Sequence, residues 1–510
     1  MLFNRRRKEF HLAMLVSRKT GWSIRKSIQK MDYAKKKYNI PYIRYYESEA
    51  YDRPETWLRR KGNSLQRKRE QNSLYIEELS SETGIPVEQI NAEINKCRKM
   101  YKGRMGAPTY VLYELYKMDE KQKKTFFAVL EKKDELMIHF RTRLAAYYEG
   151  KCTIEELNNL AEEFRRFLPN LISNTIIARR TERLYEVIPD LIPGSERCQS
   201  IIVDMELSRY LFLLTGKEYL MFRLWEKTIE EKMEYIPDGR HTPMILKING
   251  ADLSELCNDK KKSYDKLGKY YGRELIFIKS DDDIDRFVEF GMKHKKAVIK
   301  PSSASKGQGV RLIDFSLETN LENRVTASHY LRELLDENGN FVLEELIVQN
   351  EVLKKLNPDS VNTVRVIAYN DGSKVVIDGS LMRVGRTGAF VDNGGAGGIL
   401  IGINWDEGEM YGSGHDKDGN IYEHHPDTGV LFDGYKLPEW NKAKNTIETA
   451  AKALGKGYIG WDITCTASDE WIVVEANGTP QFFGKQSTTG KGALPDFINT
   501  VGKENYSVII

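Results

Sequence analysis

Three residues with hard oxygen donors lie close together near the end of the sequence: Asp462, Glu475 and Asn477. The run 472–474 is apolar and β-branched, which predicts a strand, and Asp469 supplies a turn before it. Glu475 and Asn477 are two apart on that strand, so their side chains leave from one face. Asp462 can meet them from the preceding strand of a hairpin. Two carboxylates and an amide oxygen suit Mg²⁺, although two exposed strands with ordinary acidic residues fit this stretch equally well.

A second stretch, 297–310, has the pattern of a strand ending in Lys-Pro, a loop rich in serine and glycine, and another strand. Such a loop can fold over a polyphosphate, because its glycines permit close backbone approach and Lys300 brings a compact positive charge. The loop residues with this potential are Ser302, Ser303, Ser305, Gly307 and Gly309. The order GxxxxGK[ST] is absent, so this is not a Walker loop, and a hairpin with a flexible turn is the alternative.

Two further motifs extend the pattern into an ordered series. An Asp-Lys pair at 259–260 precedes the lysine strand, and the strand that begins at Phe341 ends in Glu-Glu-Leu-Ile. Glu351 follows that motif, and the Asp and Glu-x-Asn of the hairpin close the series. This order and spacing resemble the ATP-grasp superfamily over about residues 250 to 490. The branch associated with sugar transfer and polysaccharide gene clusters is suggested by motifs at 359–365, 391–398, 425–429 and 460–462.

The resemblance implies a nucleotide site in a C-terminal ATP-grasp fold, whose two α+β subdomains sandwich ATP. Lys260 and Lys300 would contact the ATP phosphates, and the loop from Ser302 to Gly309 would close over them. Hinge residues would offer backbone groups to the adenine edge, and Glu351 would reach the ribose hydroxyls. These hinge residues are Glu344, Glu345, Leu346 and Ile347.

The resemblance also implies a catalytic centre. Asp462, Glu475 and Asn477 would hold one or two Mg²⁺ ions that neutralise phosphate charge during phosphoryl transfer. Arg365 is a candidate for binding the transferred phosphate or an acyl phosphate, because a guanidinium fork matches that geometry. The predicted catalytic residues are Arg365, Lys300 and Asn393.

An acceptor pocket is expected beside this centre. Its candidate residues are Arg383, His425 and Lys485. His425 belongs to a His-Pro-Asp-Thr-Gly turn that would shape the pocket, and a purely structural role is the alternative.

The reaction implied by the resemblance is carboxylate activation. Most ATP-grasp enzymes form an acyl phosphate that an amine or another nucleophile then displaces, and positioning and charge neutralisation do most of this work. We therefore expect an ATP- and Mg²⁺-dependent ligase in cell-surface polysaccharide or related peptide modification. An ATP-grasp phosphotransferase and a nucleotide-binding scaffold of a glycan-assembly complex are the alternatives. The sequence identifies neither the carboxylate nor the nucleophile.

The composition of the chain changes near residue 243. Short β-rich runs broken by glycine follow, at 244–250, 275–278, 297–300, 341–345, 363–369 and 374–378. Helical patterns dominate before this point, as at 153–168, where apolar residues recur every three or four positions. We predict an α+β fold behind a mostly helical N-terminal region. The expected divisions are a basic helical region at 1–125, a helical connecting region at 126–240 and a catalytic domain at 241–510.

The N-terminal segment is basic, with 20 Lys or Arg and 7 Asp or Glu in residues 1–70. It could meet an anionic membrane surface or glycan-assembly proteins, with a solvated helical face as the alternative, and we expect no specific nucleic acid partner. Thr-Gly pairs at 20–21 and 83–84 each precede helical patterns, which predicts a twofold repeat. No apolar run is long enough for a membrane span. We expect a cytoplasmic protein, with peripheral attachment to the inner membrane face as the alternative.

Overall fold

The computed structural model describes residues 76–77, 80, 84–92, 119–171, 180, 184, 187–188, 190–192, 194–302, 309–388 and 397–503. Contact density separates two units, residues 1–131 and 132–510. The predicted basic arm and the first copy of the predicted repeat lie outside the described residues, and only 80 and 84–92 of the second copy are described. The predicted domain boundaries after residues 125 and 240 stay predictions.

Helices precede the sheets in chain order. Their bounds are α1 (Glu120–Tyr148), α2 (Ile154–Phe167), α3 (Glu196–Leu211), α4 (Gly216–Met221) and α5 (Ile229–Met233). Thr153, Thr215 and Thr228 each form a capping box with the glutamate three residues on, which satisfies backbone N–H groups at a helix start. The helix predicted at 153–168 is confirmed by α2. Among the described residues, no helix is long and apolar enough to cross a membrane.

A four-stranded antiparallel sheet, here called the small sheet, has the strand order β1-β4-β2-β3. Its strands are β1 (Leu275–Ile278), β2 (Lys296–Pro301), β3 (Arg311–Asp314) and β4 (Phe341–Glu345). The helices before and between these strands are α6 (Asp238–Asn258), α7 (Lys260–Tyr271), α8 (Ile284–His294), α9 (Phe315–Glu318) and α10 (Arg324–Asn338). Apolar side chains of α8, α9 and α10 pack on one face of this sheet.

One predicted strand, at 244–250, is wrong, because these residues lie within α6. Met244 and Ile245 are buried and Ile248 is partly buried, whereas Leu246 between them is exposed. This spacing of buried positions is helical. A short apolar run does not distinguish a helix from a strand when its flanking residues give no clear signal.

A seven-stranded antiparallel sheet, here called the large sheet, has the order β11-β10-β5-β6-β7-β8-β9. Its strands are β5 (Thr363–Asn370), β6 (Val375–Val384), β7 (Ile399–Asn404), β8 (Glu409–His415), β9 (Ile421–Tyr422), β10 (Gly457–Cys465) and β11 (Trp471–Asn477). The later helices are α11 (Glu351–Leu356), α12 (Trp440–Leu454), α13 (Phe483–Thr489) and α14 (Leu494–Val501). Val364 and Val366 pack with α12 on one face, and Ile367 packs with α6 and α14 on the other. The predicted α+β fold is confirmed.

The predicted hairpin near the end of the chain is present as β10 and β11. Asp462 lies opposite Glu475, and Gly460 lies opposite Asn477. Asp469 adopts a φ of 61° in the connecting turn, a region that aspartate tolerates better than most residues. Because opposite residues of an antiparallel pair share a face, Asp462, Glu475 and Asn477 lie on one face of the large sheet.

Hydrogen bonds join the segment before α6 to the C-terminal helices. The Gln486 side chain accepts from Ile236 N at 2.7 Å and donates to Ile236 O at 3.1 Å. The Tyr235 hydroxyl donates to Gly490 O at 3.0 Å, and Leu494 N donates to the carbonyl of the residue before Tyr235 at 2.9 Å. Gln486 is buried, so these bonds are shielded from water.

Candidate functional site

One face of the large sheet places two arginines around Asp462. Arg365 lies opposite Asp462. Arg383 lies opposite Thr363, and Thr363 is two residues before Arg365 on the same strand. Residues in these positions share a face of the sheet. Arg365 Nη2 donates to Asp462 Oδ2 at 2.9 Å, and its Nε donates to Oδ1. Arg383 Nη1 donates to Oδ2 at 2.8 Å. The two guanidinium groups therefore share one carboxylate.

Asp462 is ionised in this cluster although its side chain is only 6% exposed. Burial would raise its pKa, but the charges and hydrogen bonds of Arg365 and Arg383 outweigh burial and lower the pKa below its usual range. Oδ2 accepts from both arginines, whereas Oδ1 accepts only from Arg365 among the described residues. A carboxylate oxygen can accept two bonds, so Oδ1 keeps a lone pair for a further ligand.

Arg365 also keeps capacity for a ligand. The side chains are 17% exposed for Arg365 and 14% for Arg383. Arg365 uses two of its five N–H donors on Asp462, and no described residue accepts from the other three. Gly460 lies beside Arg365 where Pro480 approaches closely, since an added Cβ would lie 2.8 Å from Pro480 Cβ and 3.5 Å from Arg365 Nη1.

Glu475 and Asn477 complete this face. Glu475 is exposed, and no described side chain forms an ion pair or hydrogen bond with it. The Asn477 Oδ1 atom accepts from Thr479 N at 2.9 Å, which orients the amide. The described residues contain no cluster of three His, Cys, Asp or Glu side chains suited to a metal ion. The predicted Mg²⁺ site, with two carboxylates and one amide, stays a prediction.

The small sheet carries a second buried carboxylate, Glu344 of β4. Lys300 Nζ lies 2.9 Å from its Oε2 atom, and Arg273 Nη2 donates to the same atom at 2.9 Å. Burial would raise the pKa of Glu344, but the two cations hold it at about 2. The side chain of Lys300 is 21% exposed, so solvent or a ligand can reach it. Glu344 therefore holds Lys300 with its side chain, and the backbone role predicted for it at the hinge stays a prediction.

Arg273 was missed by sequence reasoning. It follows Gly272, the left-handed residue that ends α7, and it belongs to no recognised motif. Its partner Glu344 is 71 positions away in the sequence, and its partners on β11 are about 200 positions away. Local sequence patterns do not reveal contacts at such separations. A Gly-Arg pair directly before a strand was the available signal, but it is not specific.

The predicted hinge residues follow β4. Glu345 N donates to Glu274 O at 2.9 Å, and its carboxylate accepts from Glu274 N at 3.0 Å. Leu346 and Ile347 are half-buried and lie beyond the strand, and no described residue bonds their backbone groups. Glu351 begins α11, where it is exposed and lies 2.6 Å from Lys354.

The predicted phosphate-contacting residues are described only in part. Ser302 N donates to Asn340 O at 2.9 Å. Gly309 has a φ of 71°, and a Cβ there would lie 2.8 Å from Pro301, so the position requires glycine. Lys260 begins α7 directly after the N-cap residue. The predicted site residues outside the described part of the chain are Ser303, Ser305, Gly307 and Asn393.

Two candidates for the acceptor pocket, His425 and Lys485, are buried and bonded to residues outside the arginine cluster. His425 Nε2 bonds Gly385 O at 2.9 Å, and its Nδ1 accepts from the backbone N–H groups of Asp427 and Thr428. Both ring nitrogens are occupied, which fits the structural alternative for His425. Lys485 Nζ lies 3.0 Å from Asp378 and 2.8 Å from a second aspartate, Asp496. Neither residue contacts the arginine cluster among the described residues, whereas Arg383 belongs to it.

Comparisons with known proteins agree with the architecture. The family model described as sugar-transfer associated ATP-grasp matches residues 240–503, which is more than half of the 510-residue chain. No curated protein matches this chain.

Solved structures that match part of this chain have low sequence identity to it. The ATP-grasp ligase PsnB, complexed with precursor peptide PsnA2 and AMPPNP, is 16% identical, with a TM-score of 0.29 over 49% of this chain and 58% of that chain. D-alanyl-alanine synthetase A from Vibrio cholerae is 13% identical, with a TM-score of 0.30 over 50% and 63%. A RimK domain protein from Sphaerobacter thermophilus is 14% identical, with a TM-score of 0.29 over 50% and 72%. The chain thus spans about three-fifths of the length of the first two.

Proposed function

Because this chain belongs to the sugar-transfer associated ATP-grasp family, we propose that it is an ATP- and Mg²⁺-dependent carboxylate ligase. The observation that carries the proposal is the arrangement on one face of the large sheet. Asp462 holds Arg365 and Arg383 there, and Arg365 retains N–H donors that no described residue uses. Glu475 lies on the same face with a carboxylate that no described side chain engages.

The donor set suits Mg²⁺. Glu475 offers an exposed carboxylate, Asp462 keeps a lone pair on Oδ1, and Asn477 offers an amide oxygen on the same face. Hard oxygen donors in small number match the preference of Mg²⁺, which keeps several waters and takes phosphate oxygens as further ligands. Bound there, Mg²⁺ would neutralise charge on the ATP phosphates.

The arginines bind and orient the reacting anions in this proposal. A carboxylate oxygen of the substrate attacks the γ-phosphorus of ATP, ADP leaves, and an acyl phosphate forms. A nucleophile such as an amine then attacks the acyl carbon, inorganic phosphate leaves, and the nucleophile loses its proton to solvent. The unused donors of Arg365 can hold the transferred phosphoryl group through both steps, because guanidinium binds phosphate oxygens in pairs.

The small sheet supplies the nucleotide contacts. Lys300 is partly exposed and would move from Glu344 to the phosphates, exchanging one anionic partner for another. The unbonded backbone groups of Leu346 and Ile347 can meet the adenine edge, and Glu351 can meet the ribose. Lys260, at the start of α7, would add a charge beside the phosphates.

We place the substrates in cell-surface polysaccharide or related peptide modification, in a cytoplasmic setting. The family description supports a link with sugar transfer, and the basic segment at 1–70 could bring the enzyme to an anionic membrane face or to glycan-assembly proteins. Neighbouring genes test this placement: glycosyltransferase genes beside this one are expected, and their absence would count against it.

The reaction itself is tested by incubating the protein with ATP, Mg²⁺ and pools of carboxylates and amines. ADP together with a condensed product is expected. A phosphorylated product without condensation would instead identify a phosphotransferase. Nucleotide binding without acceptor-dependent ADP release would identify a scaffold. Reactions without acceptor and without Mg²⁺ serve as controls for background hydrolysis.

A further inference from the structure

Arg273 lies between the two sheets and contacts both. Its Nε and Nη2 atoms donate to Glu344 Oε2 of the small sheet at 3.1 and 2.9 Å. Its Nη1 atom donates to Val473 O at 2.8 Å and its Nη2 atom to Val474 O at 3.0 Å, both on β11 of the large sheet. A fifth bond joins Nη1 to Tyr271 O at 3.1 Å. All five guanidinium donors are used, and the side chain is 2% exposed.

The carbonyls that Arg273 binds belong to a β-bulge. Asp462 pairs with Glu475 and Ile463 pairs with Val473, so Val474 has no partner on β10. A bulge lets successive carbonyls point to the same side of a strand and re-aims the side chain that follows. Here the following residue is Glu475.

The contact is possible because α7 ends tightly against β11. Gly272 has a φ of 57°, and an added Cβ would lie 2.4 Å from Ile472 Cγ2. Since β11 is the edge strand of the large sheet, its outer backbone groups at the bulge need partners. Arg273 supplies them, and a lysine could not, because its single ammonium lacks the planar fork.

Resting on the proposed ATP-grasp function, we propose that Arg273 is a positioning residue that couples nucleotide binding at Lys300 to the placement of Glu475. Lys300 and Arg273 share Glu344 Oε2 in the described structure. When a phosphate draws Lys300 away, Glu344 pairs with Arg273 alone, which strengthens the anchor of the bulge. Glu475 and Asn477 are then held where a divalent cation on the same phosphates can be bound.

The coupling is measurable as the factor by which Mg²⁺ strengthens nucleotide binding. Binding of AMPPNP would be titrated by calorimetry with and without Mg²⁺ for wild type, Arg273→Lys and Arg286→Gln. Arg286 is the matched control, an arginine in α8 that is half exposed and pairs with Asp283. We expect Arg273→Lys to reduce the Mg²⁺ factor at least fivefold while binding without Mg²⁺ changes less than twofold. Arg286→Gln should change neither.

An unchanged Mg²⁺ factor in Arg273→Lys would overturn the coupling and leave the proposed function standing. Wild-type protein that fails to bind AMPPNP would overturn the proposed function and the coupling with it. If Arg273→Lys folds poorly, the double variant Arg273→Lys/Glu344→Gln is compared with Glu344→Gln, because neither then buries an unpaired carboxylate. Because the coupling passes through the Glu344 carboxylate, both of these variants should show a smaller Mg²⁺ factor than wild type, and a factor in Glu344→Gln equal to that of wild type would overturn the coupling.

Discussion

Glu344 in the small sheet and Asp462 in the large sheet are both buried between two basic side chains. They differ in what else those basic groups can do. Arg273 beside Glu344 spends every donor inside the protein and is almost fully buried. Arg365 beside Asp462 keeps three donors that no described residue uses, and it remains partly exposed.

This difference indicates that Glu344 stabilises the fold, whereas Asp462 orients arginine side chains that can bind a ligand. A buried ion pair in which every donor is satisfied constrains the backbone around it. A buried carboxylate beside partly exposed arginines aligns their guanidinium groups, and Arg365 still has donors for a ligand that no described residue uses. Lys300 is intermediate, since it shares the structural carboxylate and still reaches solvent.

Removing each carboxylate gives the largest expected contrast. Glu344→Ala leaves Arg273 buried without its anion and should lower the free energy of unfolding by about 3–5 kcal/mol. Asp462→Ala should cost about 1–3 kcal/mol, because its arginines can turn to water. Urea unfolding measures both, and Glu448→Ala, which removes an exposed helical ion pair, is the control with little change. Equal losses for the two variants would contradict the contrast.

Low pH should remove the contribution of Glu344 to the free energy of unfolding. Its pKa is held at about 2, below the ordinary 4.5, so it stabilises the folded state fully above pH 4.5 and loses this as pH falls towards 2. The stability difference between wild type and Glu344→Gln should be on the order of 3 kcal/mol near neutrality and shrink across that window. Unfolding curves at several pH values test this. A difference that stays constant with pH speaks against an ionised Glu344.

Glu475→Gln tests whether the face of the large sheet that carries Asp462 binds the cation. It should lower turnover about 100-fold, because the neutral amide is a weaker ligand for the cation that offsets transition-state charge. Nucleotide affinity should change about threefold or less. Steady-state ADP release and nucleotide titration are compared with Glu470→Gln, an exposed glutamate of the same hairpin region that pairs with Lys442. Equal losses of turnover and nucleotide binding would contradict the role of Glu475 as a ligand of the cation.

Arg365→Lys should have the smallest effect of the set. Lysine keeps the charge beside Asp462 but loses the fork that can hold a phosphoryl group, so turnover should fall about tenfold. Stability should change little. The control is Arg332→Lys, at an exposed pair with Asp281 in the small-sheet subdomain. Turnover equal to wild type would mean that the fork of Arg365 does not contact the reacting group.

The sequence predicted those features that depend on local spacing. The alternation of β11 placed Glu475 and Asn477 on one face, and the hairpin brought Asp462 opposite Glu475, as the structure has it. The meeting of Arg383 with Asp462 depends on the strand order β10-β5-β6, which no local pattern encodes. Arg273 was missed for the same reason.

The structure also corrects a local inference. The run at 244–250 is apolar enough for a strand, but only one side of it is buried and its residues belong to α6, which is kinked at Gly250. The backbone role of Glu344 that the resemblance implies stays a prediction, and its ion pairs with Lys300 and Arg273 could not be foreseen without the pairing of β2 with β4.

The hydrogen bonds from Gln486 to Ile236 bear on how far this chain can be truncated at its N-terminal side. The family match begins at residue 240, four residues after the backbone groups that Gln486 binds. A chain shortened to 240–503 would remove both bonds between Gln486 and Ile236, leave the Gln486 amide with only its bond from Ala493 N among these, and leave Leu494 N without the carbonyl to which it donates. Residues 240–503 alone therefore lack hydrogen-bond partners that the residues before 240 supply to the C-terminal helices.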